Sequence, residues 1–300
     1  MSWLPTASPD ALAAVDVVVE PSVKNLGSFR VRRALPSKAR QMVGPFIFLD
    51  HMGPARFEAG EGMDVRPHPH IGLATVTYLL EGSIVHRDNL GSLQEIVPGA
   101  VNWMTAGRGV AHSERTGEVA RTVPRQVQGI QSWVALSRSR EEDAPGFSHH
   151  PGDSLPVLQD RGIAARIVAG EAYGARSPVP VASRTLYVDA SLDAGAALPL
   201  PDDHAERGAY VIEGEVEIAG EGYEAGRLLL FRPGDPVVLR ALRPSRVLLV
   251  GGEPMDGPRH IWWNFVHSRK DRIEAAKADW RAGRFAPVPG DEREFIPLPD

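Results

Sequence analysis

The chain is 300 residues long, 43% apolar and 24% charged, with a formal charge of −5 at pH 7; this is ordinary globular composition on a length that suits two domains of ~150 residues each. A chain whose own field repels phosphate is a poor non-specific nucleic-acid binder. There is no cysteine, which excludes disulfides, iron–sulfur clusters, thiolate zinc sites and cysteine nucleophiles and leaves only nitrogen and oxygen donors for a metal.

Residues 1–19 carry Asp10 and Asp16 and lack a basic start followed by an apolar core, so no secretory leader is expected. No apolar run approaches the ~18 residues of a membrane span. The expectation is a cytoplasmic protein. Short strand-like runs follow, at Phe29-Arg30-Val31-Arg32 and Phe46-Ile47-Phe48-Leu49, with Asp50-His51-Met52-Gly53-Pro54 read as a turn. Further strands are expected at residues 75–80, 83–86, 93–97 and 101–105, separated by Gly- and Pro-bearing turns. This rhythm of one strand every ~8–12 residues predicts an all-β antiparallel sandwich or barrel.

Around residues 137–156 the composition shifts to charge, His, Pro and Gly, and 141–156 is read as a linker. Strands then resume at 164–168, 186–188, 210–212, 216–218, 228–231 and 247–250. Residues 269–281 form the one persuasive helix, with Ile273, Ala276 and Trp280 on a common face. The Pro-rich end from Pro287 reads as an extended tail.

Tyr78-Leu79-Leu80-Glu81-Gly82 is echoed by Tyr210-Val211-Ile212-Glu213-Gly214, and Pro98-Gly99 by Pro233-Gly234. Two copies of one barrel explain the echo. The expected organisation is a first barrel over 1–140, the linker at 141–156, a second barrel over 157–268, and a helix and tail over 269–300.

His68-Pro69-His70 and His112-Ser113-Glu114 each place two donors two residues apart. On a strand such residues share a face, so each pair can converge on one point. Either pair alone is weak, because a lone histidine is generally a hydrogen-bonded core or surface residue. Together, in one strand-rich stretch, they point to a metal site of three imidazoles and a carboxylate with two positions left open on an octahedral ion. At the spacing of the echo, His68 and His70 correspond to Leu200 and Asp202, so the second copy lacks the donors.

The other candidates have plainer readings. His51 and Asp50 either line the site or cap a turn. His86, in His86-Arg87-Asp88, is an internal hydrogen-bonding residue rather than a fifth ligand. His149-His150 is solvated linker, while His260, Trp262 and Trp263 pack the second barrel. Arg30, Arg32, Arg33, Lys38 and Arg40 form a solvated basic face. Gly220-Glu221-Gly222 opens no helix and is not a dinucleotide loop. Gly-x-Ser-x-Gly, Gly-x-x-x-x-Gly-Lys and His-Glu-x-x-His motifs are absent, which leaves hydrolase, nucleotide and metalloprotease readings without support.

The run Phe46-Ile47-Phe48-Leu49-Asp50-His51-Met52-Gly53-Pro54, then His68-Pro69-His70-Ile71-Gly72, Thr75-Val76-Thr77-Tyr78, His86-Arg87-Asp88, Trp103-Met104-Thr105-Ala106-Gly107-Arg108-Gly109 and His112-Ser113-Glu114 resembles the pirin family of bicupins. Gly251-Gly252-Glu253-Pro254 resembles the end of the pirin C-terminal barrel. The general cupin glutamate is absent, since Ala74 and Thr75 stand there. The resemblance implies two tandem cupin (jelly-roll-type) barrels with a short C-terminal helix. It implies that His68, His70, His112 and Glu114 ligate one divalent metal, typically Fe(II), although the donor set also suits Mn, Ni, Cu or Zn. Because ligands must be deprotonated, metal binding is expected to weaken as pH falls through the histidine range.

Two functions follow from the resemblance. One is a quercetin 2,3-dioxygenase-like enzyme that opens a flavonol-like aromatic with O2. In it Glu114 is the general base, and Phe46, Phe48 and Trp103 wall a dry pocket. The other is a metal-dependent, iron redox-sensing interaction protein or transcription co-regulator that meets a protein partner rather than DNA. A sugar isomerase fits the ligand pattern less well. A monomer is expected, because two fused barrels already bury a shared face.

Overall fold

A computed structural model describes residues 2–4 and 13–299. Of the N-terminal stretch read for a leader, residues 1 and 5–12, with Asp10, lie outside the described residues. Short apolar runs punctuated by Gly and Pro become strands almost throughout; the α-helices among the described residues are Glu118–Arg121 and Lys270–Arg281. The described residues divide into two compact units, one built of residues 23–31, 50–152 and 255–299, the other of residues 2–4, 13–22, 32–49 and 153–254.

In the first unit one sheet runs in the order Asp64–His70, Val110–Arg115, Ile84–Asp88, Leu93–Ile96. The facing sheet contains Gly146–His150, Val101–Thr105, Leu73–Glu81 and Arg125–Ala135, again as successive neighbours. In the second unit Ala197–Pro199, Val238–Ala241, Glu215–Ile218 and Glu221–Glu224 repeat the four-stranded order. Its larger sheet has Glu206–Glu213 between Leu228–Phe231 and Ser245–Gly252, just as Leu73–Glu81 lies between Val101–Thr105 and Arg125–Ala135. The echoed pentapeptides are therefore equivalent strand ends. Gly82 and Gly214 close them at φ 81° and 83°, and a Cβ at either would run into a backbone carbonyl oxygen, that of Gln126 or of Pro244. Only glycine meets both conditions.

What fills the two interiors differs. The second unit packs Leu198, Val216, Ile218, Leu239 and Ala241 against Ala165, Ile167, Val188, Ala209, Val211 and Leu249, all buried. Each larger aliphatic chain there contributes ~1.5–3 kcal/mol on burial. In the first unit an aliphatic and aromatic cluster of Phe29, Val31, Met52, Phe57, Met63, Leu79, Ile84 and Ile96 is accompanied by buried polar side chains, including His68, His70, Thr77, His86, Asp88, His112 and Glu114.

Four expectations change. Asp50-His51-Met52-Gly53-Pro54 is not a turn: the strand Phe46–Phe57 runs through it, with Gly53 taking the distortion at φ 74°. Residues 141–156 are not a linker, since Gly146–His150 pairs with Val101–Thr105 and extends the first sheet. The charge that suggested a surface crossing is partly buried: Glu141, 1% exposed, ion-pairs with Arg259 Nε at 2.8 Å and accepts from Ser268 N at 2.7 Å. His149 is likewise held, its Nδ1 2.7 Å from Asn102 Oδ1. Finally, Trp262 and Trp263 pack with Ile71, Phe265, Ile273 and Trp280, within the first unit rather than the second.

The helix Lys270–Arg281 buries Ile273 and Ala276 as its pattern predicts. The extended tail beyond it is fastened to the two strands that bear the candidate ligands. Ile296 N donates to Pro67 O at 2.8 Å and Trp280 Nε1 to Ile296 O at 2.9 Å. Arg115 forks onto Asp291 at 2.7 and 2.8 Å. Among the described residues, no helix is long and apolar enough to cross a membrane.

Candidate metal centre

Asp64–His70 and Val110–Arg115 pair antiparallel, with His112 opposite His68 and Val110 opposite His70. Between His112 and Glu114 the register shifts, so that Glu114 faces Val65. The extra residue falls around Pro67, which has no N–H to give the ladder, and a bulge there costs little. On its other edge Val110–Arg115 pairs with Ile84–Asp88, placing His112 opposite Asp88 and Glu114 opposite His86. Alternation along three adjacent strands thus brings the imidazoles onto one face.

His68, His70 and His112 converge. One ligand atom from each lies within 4.8 Å of the others, and their ring centroids are 4.4–5.0 Å apart. All three are buried, at 6%, 1% and 1% exposure. His68 Nδ1 donates to Arg66 O at 2.8 Å and His70 Nδ1 to Asn264 O at 3.1 Å. A carbonyl can only accept, so both rings carry their proton on Nδ1 and leave an Nε2 lone pair. His70 Nε2 faces His112 Nε2 at 3.1 Å.

Burial keeps these rings neutral. It lowers the His68 pKa to about 4 against the raising effect of the Arg66 carbonyl. It also holds His70 and His112 well below the usual histidine range, helped by the neighbouring histidines. The neutral ring is the form that coordinates a metal. Burial has the opposite effect on Glu114, raising its pKa against the lowering by the Thr77 hydrogen bond. For Asp88, burial alone would raise the pKa, but hydrogen bonds from His86 and Ser92 hold it below the usual value.

Glu114 follows His112 on the same strand, and its Oε1 accepts from Thr77 Oγ1 at 3.0 Å. Its carboxylate is not in the three-histidine cluster. His86 is the internal hydrogen-bonding residue expected, with Nε2 3.0 Å from Asp88 Oδ2. His51 sits on a strand, 1% exposed, and accepts from Gln128 Nε2 at 3.2 Å. Two expected wall residues are elsewhere: Phe46 packs on Tyr187, centroids 5.2 Å apart, and Phe48 lies under the Arg33 guanidinium at 4.3 Å, in the second unit. Trp103 is buried, its Nε1 donating to Thr105 Oγ1 at 3.3 Å. Trp133 lies edge-on to His70 at 5.2 Å, and Phe147 stacks on the neighbouring His86 at 4.4 Å and 15°. Neither has a local signal in the sequence, nor has the Asn264 carbonyl, which is brought to His70 only by tertiary folding.

A family model described as Pirin matches residues 28–134, and one described as Pirin C-terminal cupin domain matches residues 187–286. A pirin-like protein of Caulobacter vibrioides is 52% identical over 289 residues, covering 95% of this chain and 100% of that one. The chain belongs to the pirin family. Pirin of Rattus norvegicus is 33% identical, covering 84% of this chain and 86% of its own. Among solved structures, a quercetin 2,3-dioxygenase from Acinetobacter baumannii matches this pirin-family chain with a TM-score of 0.87 at 34% identity, covering 95% of each. The pirin and cupin reading of the motifs is borne out, as is the all-β bicupin fold with its short C-terminal helix.

Proposed function

We propose that His68, His70, His112 and Glu114 hold one divalent metal ion, Fe(II) foremost, and that the protein is a dioxygenase acting on flat, hydroxylated aromatics of the flavonol type. The observation that carries this reading is the proton arrangement. Two buried imidazoles have their Nδ1 protons committed to carbonyls, one ligand nitrogen of each lies within 4.8 Å of one from a third ring, and His70 Nε2 meets His112 Nε2 at 3.1 Å. Three neutral imidazole nitrogens so gathered suit a single cation, which can accept a lone pair from each of them together. The likeness to a quercetin 2,3-dioxygenase over 95% of the chain supports the reaction class.

When bound, such an ion supplies Lewis acidity toward a substrate hydroxyl and open coordination positions for substrate and O2. The protein's part is to hold and move one proton. Glu114 takes the proton of the substrate hydroxyl, while Thr77 fixes the carboxylate by its 3.0 Å hydrogen bond. Trp133 and Phe147 crowd the histidines with apolar rings and help to keep water from them.

The test is turnover after anaerobic reloading with Fe(II), Mn, Ni or Cu, followed by quercetin absorbance together with O2 uptake. Turnover is expected with at least one metal, and His70→Ala and Glu114→Gln are expected to abolish it. Absence of turnover across several flavonols and all four metals would overturn the dioxygenase reading and leave the metal-dependent interaction protein. Undiminished turnover in both variants would place the chemistry at other residues.

A further inference from the structure

We propose that Asp88 and His86 are positioning residues that fix the proton of His112 on Nδ1 and so keep its Nε2 free for a cation. The proposal rests on the metal reading for the use made of that lone pair; the proton arrangement belongs to the metal-free protein. Asp88 is fully buried and acts only as an acceptor: Oδ1 takes Leu90 N at 3.0 Å and Ser92 N at 2.9 Å, and Oδ2 lies 3.0 Å from His86 Nε2. The proton of that last contact therefore sits on His86 Nε2. In a neutral imidazole the other nitrogen is then an acceptor, and His86 Nδ1 lies 3.4 Å from His112 Nδ1. With His86 neutral, the proton between the two rings belongs to His112; a protonated His86 would instead donate to His112 Nδ1 and reverse the assignment. Its Nε2 is left with a lone pair, facing the lone pair of His70 Nε2 at 3.1 Å.

The consequence is a cluster that cannot satisfy itself. Without the relay, His112 is free to carry its proton on Nε2 and donate it to His70 Nε2, an ordinary hydrogen bond that competes with any cation. With the relay, all three histidines point lone pairs inward and no proton is available to share. Phe147, stacked at 4.4 Å on the His86 ring, holds that ring in the orientation the relay needs. In the second unit, counting from the shared Glu-Gly pair, the position of His86 is occupied by Ile218, a buried core residue. Ligands and relay are absent together from the scaffold barrel.

The decisive measurement is the tautomer of each histidine in metal-free, 15N-histidine-labelled full-length protein, read from long-range 1H–15N correlations. The expected result is Nδ1–H at His68, His70 and His112 and Nε2–H at His86. In Asp88→Asn the carboxamide can donate to His86 Nε2 and invert the relay, so His112 is expected to move to Nε2–H while His68 and His70 do not change. His86→Phe, which keeps a ring to stack on Phe147, is expected to release His112 in the same direction. Ni(II) affinity, by competition with a chromophoric chelator, is expected to fall by about 10–100-fold in both variants. Nε2–H at His112 in the parent protein would overturn the relay with no variant needed. Ni(II) bound equally by parent and Asp88→Asn would overturn its role while leaving the metal reading intact. A parent that binds no divalent metal but shows the expected tautomers would overturn the metal reading alone.

Discussion

Two kinds of residue at the site respond oppositely to burial, and this sets its pH behaviour. His68 is lowered from 6.5 to about 4, so between those values the unfolded chain binds a proton that the folded, metal-free protein refuses. By linkage the fold keeps its stability above about pH 6.5 and loses it progressively as pH falls toward 4. His70 and His112, shifted the same way, add to the loss. Glu114 is raised and acts in the reverse sense above the ordinary carboxylate range, but it is one group against three. The metal-free protein is therefore expected to show a urea midpoint that drops between pH 7 and pH 5, with a shallower drop in His68→Gln; a flat profile would contradict the burial argument. The same depression predicts that protons compete with a metal at these rings only below the ordinary histidine range, which a metal titration across pH checks. The convergence of His68, His70 and His112 was legible because a strand's period of two needs no tertiary knowledge, whereas the Glu114 carboxylate lies outside that cluster. Trp133, Phe147 and Asn264 were not, because each reaches the histidines across the fold.

At the scale of elements, sequence reading succeeded where local rules govern and failed where long-range docking does. Strand rhythm, the Glu-Gly strand ends and the Ile273–Ala276 helix face all followed from period and turn chemistry. Residues 141–156 misled because charge was taken for exposure, yet Glu141 is 1% exposed and shared between Arg259 and Ser268. Removing Glu141 leaves the buried Arg259 with the exposed Asp256 as its counter-charge. Glu141→Ala is expected to cost about 3–5 kcal/mol in denaturant unfolding, and a cost below about 1 kcal/mol would show the pair to be effectively solvated. Trp262 and Trp263 were assigned to the wrong barrel for a related reason. The segment bearing them follows the second barrel in sequence but packs with Ile71 of the first unit, and no local pattern announces that return.

Over the whole molecule the duplication divides the work. The two four-stranded sheets share one strand order, but one interior is aliphatic and the other carries the histidines. Leu239→Ala, in the aliphatic interior, is expected to lower stability by about 2–5 kcal/mol without changing the metal bound per folded chain, as read by elemental analysis of the folded fraction; loss of metal there would show that the first barrel does not hold its site by itself. The central claim is that His68, His70, His112 and Glu114 form a metal centre. Elemental analysis of the full-length protein after anaerobic reloading tests it most directly. The account predicts about one divalent ion per chain and none in a folded His70→Ala variant. A parent without metal, or the same metal content in the variant, would contradict it.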